Sequence, residues 1–295
     1  MVSIKKLAVL IICLTSATYS FGQDVSNLQK YTPSILFQKG EWEIVSFFNL
    51  YTQTEARDRM GNIQSLGQRQ TFLNTNYQFT YGVSGSGRFN IGLDLTINRV
   101  VYDNEEESPV KVLYGSGDYS RTVVSAVGPR VRFVPFAKLT NLSIESTFLF
   151  PLAKNLESPQ FVAHDRYTWW TRLFYDLKLN SNWRLFLESG FLYRIKRSDS
   201  QDDFFRIPTS IFVNYLPIPK VSLYAFGQYA PLFETVANEV DEQFGLNSWF
   251  TQVGIGMKYQ LLPALEIEGS YGKFIASRND GAGYLINLGL RFIKK

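Results

Sequence analysis

The residues that could carry reaction chemistry are few. The 295-residue chain has one Cys and one His. Cys13 has no partner thiol for a disulfide, and the pair cannot build a Cys/His metal centre. His164 is the only imidazole. Its neighbour Asp165 would point the opposite way on an extended chain and could not orient the ring. A general base must also reach its nucleophile, and no spacing here supplies one. Two acidic runs, Asp103 with Glu105, Glu106 and Glu107, and Asp199 with Asp202 and Asp203, lack the spacing and turn glycine of a calcium loop. They read as solvated loops. Gly82, Gly85 and Gly87 read as turn glycines, with no following helix to cradle a phosphate. No catalytic residue, metal or cofactor is assigned.

The more informative chemistry is a set of charges at alternate positions. On one parity lie Arg88, Arg130, Arg132, Arg166, Arg172, Lys178, Arg184, Arg194, Lys196, Arg206, Lys258 and Arg291. The same parity carries Glu43, Asp94, Glu145, Asp176, Glu188, Glu266 and Glu268. The elements that position them alternate with period 2. In 89–98, Phe89, Ile91, Leu93, Leu95 and Ile97 share one face, and Asn90, Gly92, Asp94, Thr96 and Asn98 share the other. No 3.6-residue helix produces that pattern. Similar segments run over 41–52, 69–82, 119–134, 141–153, 165–179, 183–196, 204–215, 220–230, 248–261, 264–276 and 283–293, making twelve strands. The stretch 220–230 is the least regular, because Tyr224 and Phe226 oppose Val221 and Leu223. Connections alternate in length. Those at 53–68, 103–118, 154–164 and 231–247 read as long and polar, whereas 83–87, 135–140, 180–182, 216–219 and 262–264 are short and rich in turn residues.

Residues 1–22 read as a cleavable export signal. Lys5 and Lys6 start it, Leu7 to Leu14 form a short apolar core, and Ser20 and Gly22 place small residues before a cut at Gln23. Lipidation at Cys13 is the rival reading, but Ile12 stands where a small residue is normally required. Two of the four net positive charges leave with Lys5 and Lys6. The modest remainder gives no support for nucleic-acid binding. Residues 23–40 read as a short N-terminal segment, and 41–295 as one all-β domain.

Strands of roughly ten or more residues exceed the usual five or six of soluble sheets. Their apolar faces carry Trp42, Trp183, Tyr215 and Tyr259 toward one rim, and Tyr119, Tyr167, Trp169, Trp249 and Tyr284 toward the other, with Phe292 ending the last strand. Rings with a polar handle favour the lipid–water interface. In hydrocarbon every backbone polar group must be paired, so the sheet is expected to close into an antiparallel up-and-down barrel. On these grounds the chain resembles Gram-negative outer-membrane β-barrel proteins. The last strand, Tyr284-Leu285-Ile286-Asn287-Leu288-Gly289-Leu290-Arg291-Phe292, looks like the aromatic-terminated strand by which such proteins meet the insertion machinery, although Ile293-Lys294-Lys295 follow it. The resemblance implies an outer-membrane location with lipid around the wall, both termini periplasmic and the long connections outside.

The charged parity then lines the lumen. Twelve cations against seven anions predict a basic-biased lining for small polar solutes, with a modest bias to anions. Cross-strand pairing of Arg172, Asp176, Arg184 and Glu188 would neutralise part of it. Arg130, Arg132 and Arg206 are the expected unmatched excess. Asn74, Asn76, Gln78 and Thr80 add an uncharged polar stripe. The leading functional expectation is a passive channel or transporter for small polar solutes. The alternatives are a non-conducting barrel whose loops bind a partner, and a barrel-embedded hydrolase.

Overall fold

Residues 36–115, 120–153, 166–197, 203–237 and 242–294 are described by the structure, a computed structural model. The export signal with Cys13, together with Tyr119, His164, Asp165, Asp199 and Asp202, lies outside the described residues.

The strands are β1 (Trp42–Arg57), β2 (Ile63–Gly82), β3 (Phe89–Asp103), β4 (Ser120–Phe133), β5 (Leu142–Pro151), β6 (Tyr167–Lys178) and β7 (Trp183–Ile195), followed by β8 (Phe204–Arg206), β9 (Thr209–Ile218), β10 (Val221–Ala237), β11 (Glu242–Leu262), β12 (Leu265–Arg278), β13 (Asp280–Gly281) and β14 (Tyr284–Lys294). Neighbours in sequence pair antiparallel. β14 returns to β1 in a register running from Trp42 opposite Lys294 to Thr52 opposite Tyr284, so the sheet closes on itself. β8 and β9 both lie between β7 and β10. They form one wall strand interrupted at Ile207-Pro208, where proline has no N–H for the ladder. β13 is a two-residue extension paired to β1. The wall therefore has twelve strands, the number the alternation predicts.

Alternation decides which face looks out. Ile91, Leu93, Ile255, Ile286 and Leu288 are 44–66% exposed on the outside, while Asn90, Asp94, Thr96 and Asn287 between them are buried inside. A continuous exposed apolar belt suits hydrocarbon, not water. Trp42, Trp183, Tyr215, Tyr259 and Phe292 take the outward parity near the short-turn end. Tyr167, Trp169, Trp249 and Tyr284 do so near the opposite end. Several pack as ring pairs, with Trp42 5.6 Å from Phe292 and Trp183 4.9 Å from Tyr215 between centroids.

Two connections differ from expectation. The stretch 53–68 is not a long loop. β1 and β2 stay paired, past a bulge between Gln53 and Glu55, up to a tight turn at 58–62. Likewise 231–247 continues the β10–β11 ladder to Ala237 opposite Glu242. Beyond the apolar belt both faces meet water, so the alternation fades while backbone pairing persists. The acidic run after β3 is structured as well. Lys111 lies 2.8 Å from Asp103 and 3.6 Å from Glu107, on a 3-10 turn at Pro109–Leu113. The end of the N-terminal segment packs on the barrel. Leu36 and Phe37 are buried at the short-turn mouth, where the Asn90 side chain accepts from the Phe37 N–H and donates to its carbonyl, both at 2.9 Å.

The first prediction concerns the belt. Leu288 sits midway along β14 on the outer face. Leu288→Arg is expected to cost about 2–4 kcal/mol of folding stability in lipid vesicles, the figure for a cation near the bilayer midplane. Denaturant titration of the reconstituted barrel measures it. A second concerns the turn at 58–62. The Asn62 N–H, with further bonds from Gln64, Met60 and the Asn62 amide, holds the Asp58 carboxyl below the usual carboxylate range. A depressed carboxylate stabilises only while ionised. The turn's extra order is therefore expected in full above about pH 4, the ordinary Asp value. It is lost as pH falls through the lowered pKa. Amide exchange at Met60 and Asn62 should show this loss, and Asp58→Ala should abolish the pH dependence.

Candidate functional site

The inner face of the wall brings the charged parity together. Arg130 on β4 lies 3.2 Å from Asp94 on β3 and 3.9 Å from Glu145 on β5, and it donates to the Thr80 hydroxyl on β2 at 2.6 Å. Arg172 on β6 bonds Glu145 directly and stands 3.6 Å from Glu188 on β7. Arg184 and Asp176 pair at 3.0 Å between β7 and β6. On the opposite side, Arg291 on β14 donates to Glu43 on β1 at 2.7 Å. Lys258 on β11 lies 3.2 Å from Glu268 on β12, which also accepts from the Tyr224 hydroxyl on β10. Nearer the opposite mouth, Arg206 reaches Asp280 at 2.9 Å, and the Arg194 guanidinium lies over the Phe204 ring. At the short-turn mouth Arg88 donates to the carbonyls of Val134 and Pro135.

The expected unmatched excess at Arg130, Arg132 and Arg206 is therefore corrected for Arg130 and Arg206, which are ion-paired. Arg130 finds its acids on neighbouring strands. The acid for Arg206 lies 74 residues further along the chain. Among the described residues Arg132 has only a distant acid, Glu145, at 4.0 Å.

Ten charged side chains of this face meet around one cavity of about 190 Å³. Five cations line it (Arg130, Arg132, Arg172, Lys258 and Arg291), and so do five anions (Glu43, Glu145, Glu188, Glu266 and Glu268). The basic bias expected of the lumen does not extend to this level. Glu43, Arg130, Glu145 and Glu266 are each 4% exposed. At this level side chains narrow the lumen to that cavity, as a barrel of intermediate strand number permits.

Two further features share the inner face. Amide ladders follow the wall. Ser270, Asn287 and Asn49 form one, and Asn98, Asn74, Asn76 and Thr96 another. The expected stripe of Asn74, Asn76, Gln78 and Thr80 belongs to this polar lining. An aromatic bank also faces inward. Phe174, Phe186, Phe212 and Phe226 follow one another across β6, β7, β9 and β10 with centroids 5.6–5.8 Å apart. Alternation alone does not reveal this bank, whose sequence signal is rings on the polar parity: Phe174 lies between Arg172 and Asp176, and Phe186 between Arg184 and Glu188. Glycines opposite it make room. A Cβ at Gly254 would sit 2.4 Å from the Phe226 ring, and one at Gly256 2.3 Å from that of Tyr224. That packing accounts for the irregular alternation of 220–230. Among the described residues no group of three or more His, Cys, Asp or Glu could hold a metal ion.

No family model matches the chain, and no curated protein matches it in sequence. Solved structures do match. An outer membrane channel of Pseudomonas putida F1, described as COG4313, superposes with a TM-score of 0.66 at 11% identity, covering 90% of this chain and 99% of that one. The β domain of the Bordetella autotransporter BrkA gives 0.55 at 14% identity, covering 85% and 98%. The fold is that of an outer-membrane β-barrel. Likeness at this identity speaks for architecture, and the interior chemistry of this barrel is read from its own residues.

The third prediction tests the seam of the outer-membrane barrel. The Glu43–Arg291 bond joins first strand to last, with both side chains largely buried. Removing one partner strands a buried charge. Glu43→Leu is expected to cost about 3 kcal/mol, the lower end for such a break, because Glu266 remains 3.9 Å from Arg291. The double variant Glu43→Leu with Arg291→Met should recover most of the loss. Denaturant midpoints in vesicles compare the two.

Proposed function

We propose that the barrel stands in the outer membrane and passes small polar solutes through a narrow, charge-balanced constriction, with both termini periplasmic and the turn at 58–62 and the β10–β11 hairpin outside. The observation that carries this reading is the small cavity on which acids and bases from opposite walls converge. It argues against a wide aqueous pore. It also shifts the expected solute away from simple anions, since positive and negative groups line the narrow level in equal number. The amide ladders leading along the wall offer hydrogen bonds to a hydrated polar solute. That a barrel of similar architecture is described as a channel is in keeping with this reading. Passage needs no catalytic residue. The aromatic-terminated strand Tyr284–Phe292 would deliver the chain to the insertion machinery, and the outward belt would contact membrane lipid.

Planar-bilayer recording tests the proposal. Small single-channel steps are expected, with a reversal potential close to zero in a salt gradient. Strong anion selectivity would show that unpaired cations control the constriction. Absence of steps at every voltage would overturn the channel reading and favour the alternative the ion pairs support, a braced, non-conducting barrel that presents its outer hairpins to a partner.

A further inference from the structure

We propose that the lumenal cavity binds a small zwitterionic amino carboxylate, its carboxylate held by Arg132 and its ammonium by Glu266. Arg132 is 7% exposed. Its closest acid oxygen, on Glu145, is 4.0 Å away, beyond hydrogen-bond range. Its Nε and Nη2 find no hydrogen-bond partner among the described residues. Two donors of one planar guanidinium can form the parallel pair of bonds that a carboxylate accepts. The Phe174 ring lies 5.2 Å from the guanidinium carbon. Glu266 carries the complementary feature. It is 4% exposed, its Oε2 accepts no hydrogen bond among the described residues, and a cation paired with that oxygen, Arg291, is 3.9 Å away. An ionised carboxylate only accepts, and an ammonium only donates.

The two residues line the same cavity from different sides. Arg132 is on β4 and Glu266 on β12, separated along the wall by β3, β2, β1 and β14. A volume of about 190 Å³ equals the liquid share of roughly six waters, the scale of an amino acid with a small side chain. A bare anion would satisfy Arg132 and leave the Glu266 oxygen buried without a donor, and a bare cation would do the reverse. Each leaves a desolvation penalty that a zwitterion removes. The inference deepens the channel reading by naming the solute class, and it rests on that reading only for the claim that the bound solute also passes.

The test is calorimetric titration of the intact barrel in phospholipid nanodiscs with L-alanine, lactate and ethylamine. L-Alanine is expected to bind at least about tenfold more tightly than either half-analogue, a difference of about 1.4 kcal/mol. Arg132→Met and Glu266→Gln should each weaken L-alanine binding by about tenfold or more, and Arg132→Lys, which keeps charge without the two-donor edge, should recover only part. Lactate binding should fall in Arg132→Met and stay unchanged in Glu266→Gln. Lactate binding as tightly as L-alanine would reduce the site to an anion site and overturn the proposal. Absence of L-alanine binding to the wild-type barrel, which needs no variant to fold, would overturn it too, as would variants that bind like the wild type. Single-channel recording on the same preparation separates the two readings. Steps without L-alanine binding refute this site and leave the channel. Binding without steps upholds the site and refutes passage.

Discussion

In hydrocarbon an unpaired backbone N–H or C=O has no water to turn to. The rest of the architecture follows from that constraint. A sheet with free edges would leave two rows of such groups in lipid, so β14 must meet β1, and it does so through eleven consecutive register pairs. Closure then sorts the side chains without further instruction. Because successive residues on a strand point to opposite faces, the same chain that offers Ile286 and Leu288 to the acyl region must offer Asn287 and Gly289 to the interior. The near-neutral mean hydropathy of −0.10 is what such a division produces, with an apolar half outside and a polar half within.

Closure also creates the electrostatic problem that the interior solves. Charges placed inside a twelve-stranded wall are removed from bulk water, where an isolated ion is costly. The chain answers with pairs and triads rather than with a single-sign lining. Glu145 is shared by Arg130, Arg132 and Arg172, and Arg291 by Glu43 and Glu266. Each pair ties strands together, so the same contacts that lower the cost of burying charge also brace the wall and narrow the passage. The rigidity of the wall and the charge balance of the lumen therefore draw on one set of residues.

Much of the wall was legible in the sequence, because a period of two is a local property and every strand carries it. The strand number, the outward parity of Trp42, Trp169, Trp183 and Phe292, and the lumenal placement of Asp94, Arg172 and Glu188 needed only that rule. The hairpin extensions over 53–57 and 231–237 were not legible. Past the apolar belt both faces are wet, and nothing in the composition distinguishes a paired strand from a loop. The partners of Arg130 and Arg206 were hidden for a different reason. Which acid an inward arginine meets depends on the stagger between strands, a property of the closed barrel. Arg206 and Asp280 come together only after the strands between them are in place. The aromatic bank was readable in principle, since Phe174, Phe186 and Phe212 break the polar parity, but an alternation test that scores apolar residues as outward discards that signal.

The aromatic bank and the ion pairs meet on β6 and β7, and the meeting has a physical consequence. Where Phe174 closes the bank it lies under two guanidinium groups, Arg132 and Arg172, each 5.2 Å from its centroid. An aromatic face attracts a cation without accepting its N–H groups in the plane. It can therefore hold a guanidinium in position while leaving in-plane donors unclaimed. Arg172 spends its edge on Glu145. Arg132, flanked by the same ring but with its acid at 4.0 Å, has two donors without a partner among the described residues. Whether an arginine beside this ring braces the wall or keeps donors unclaimed is thus set by how far one shared carboxylate can reach.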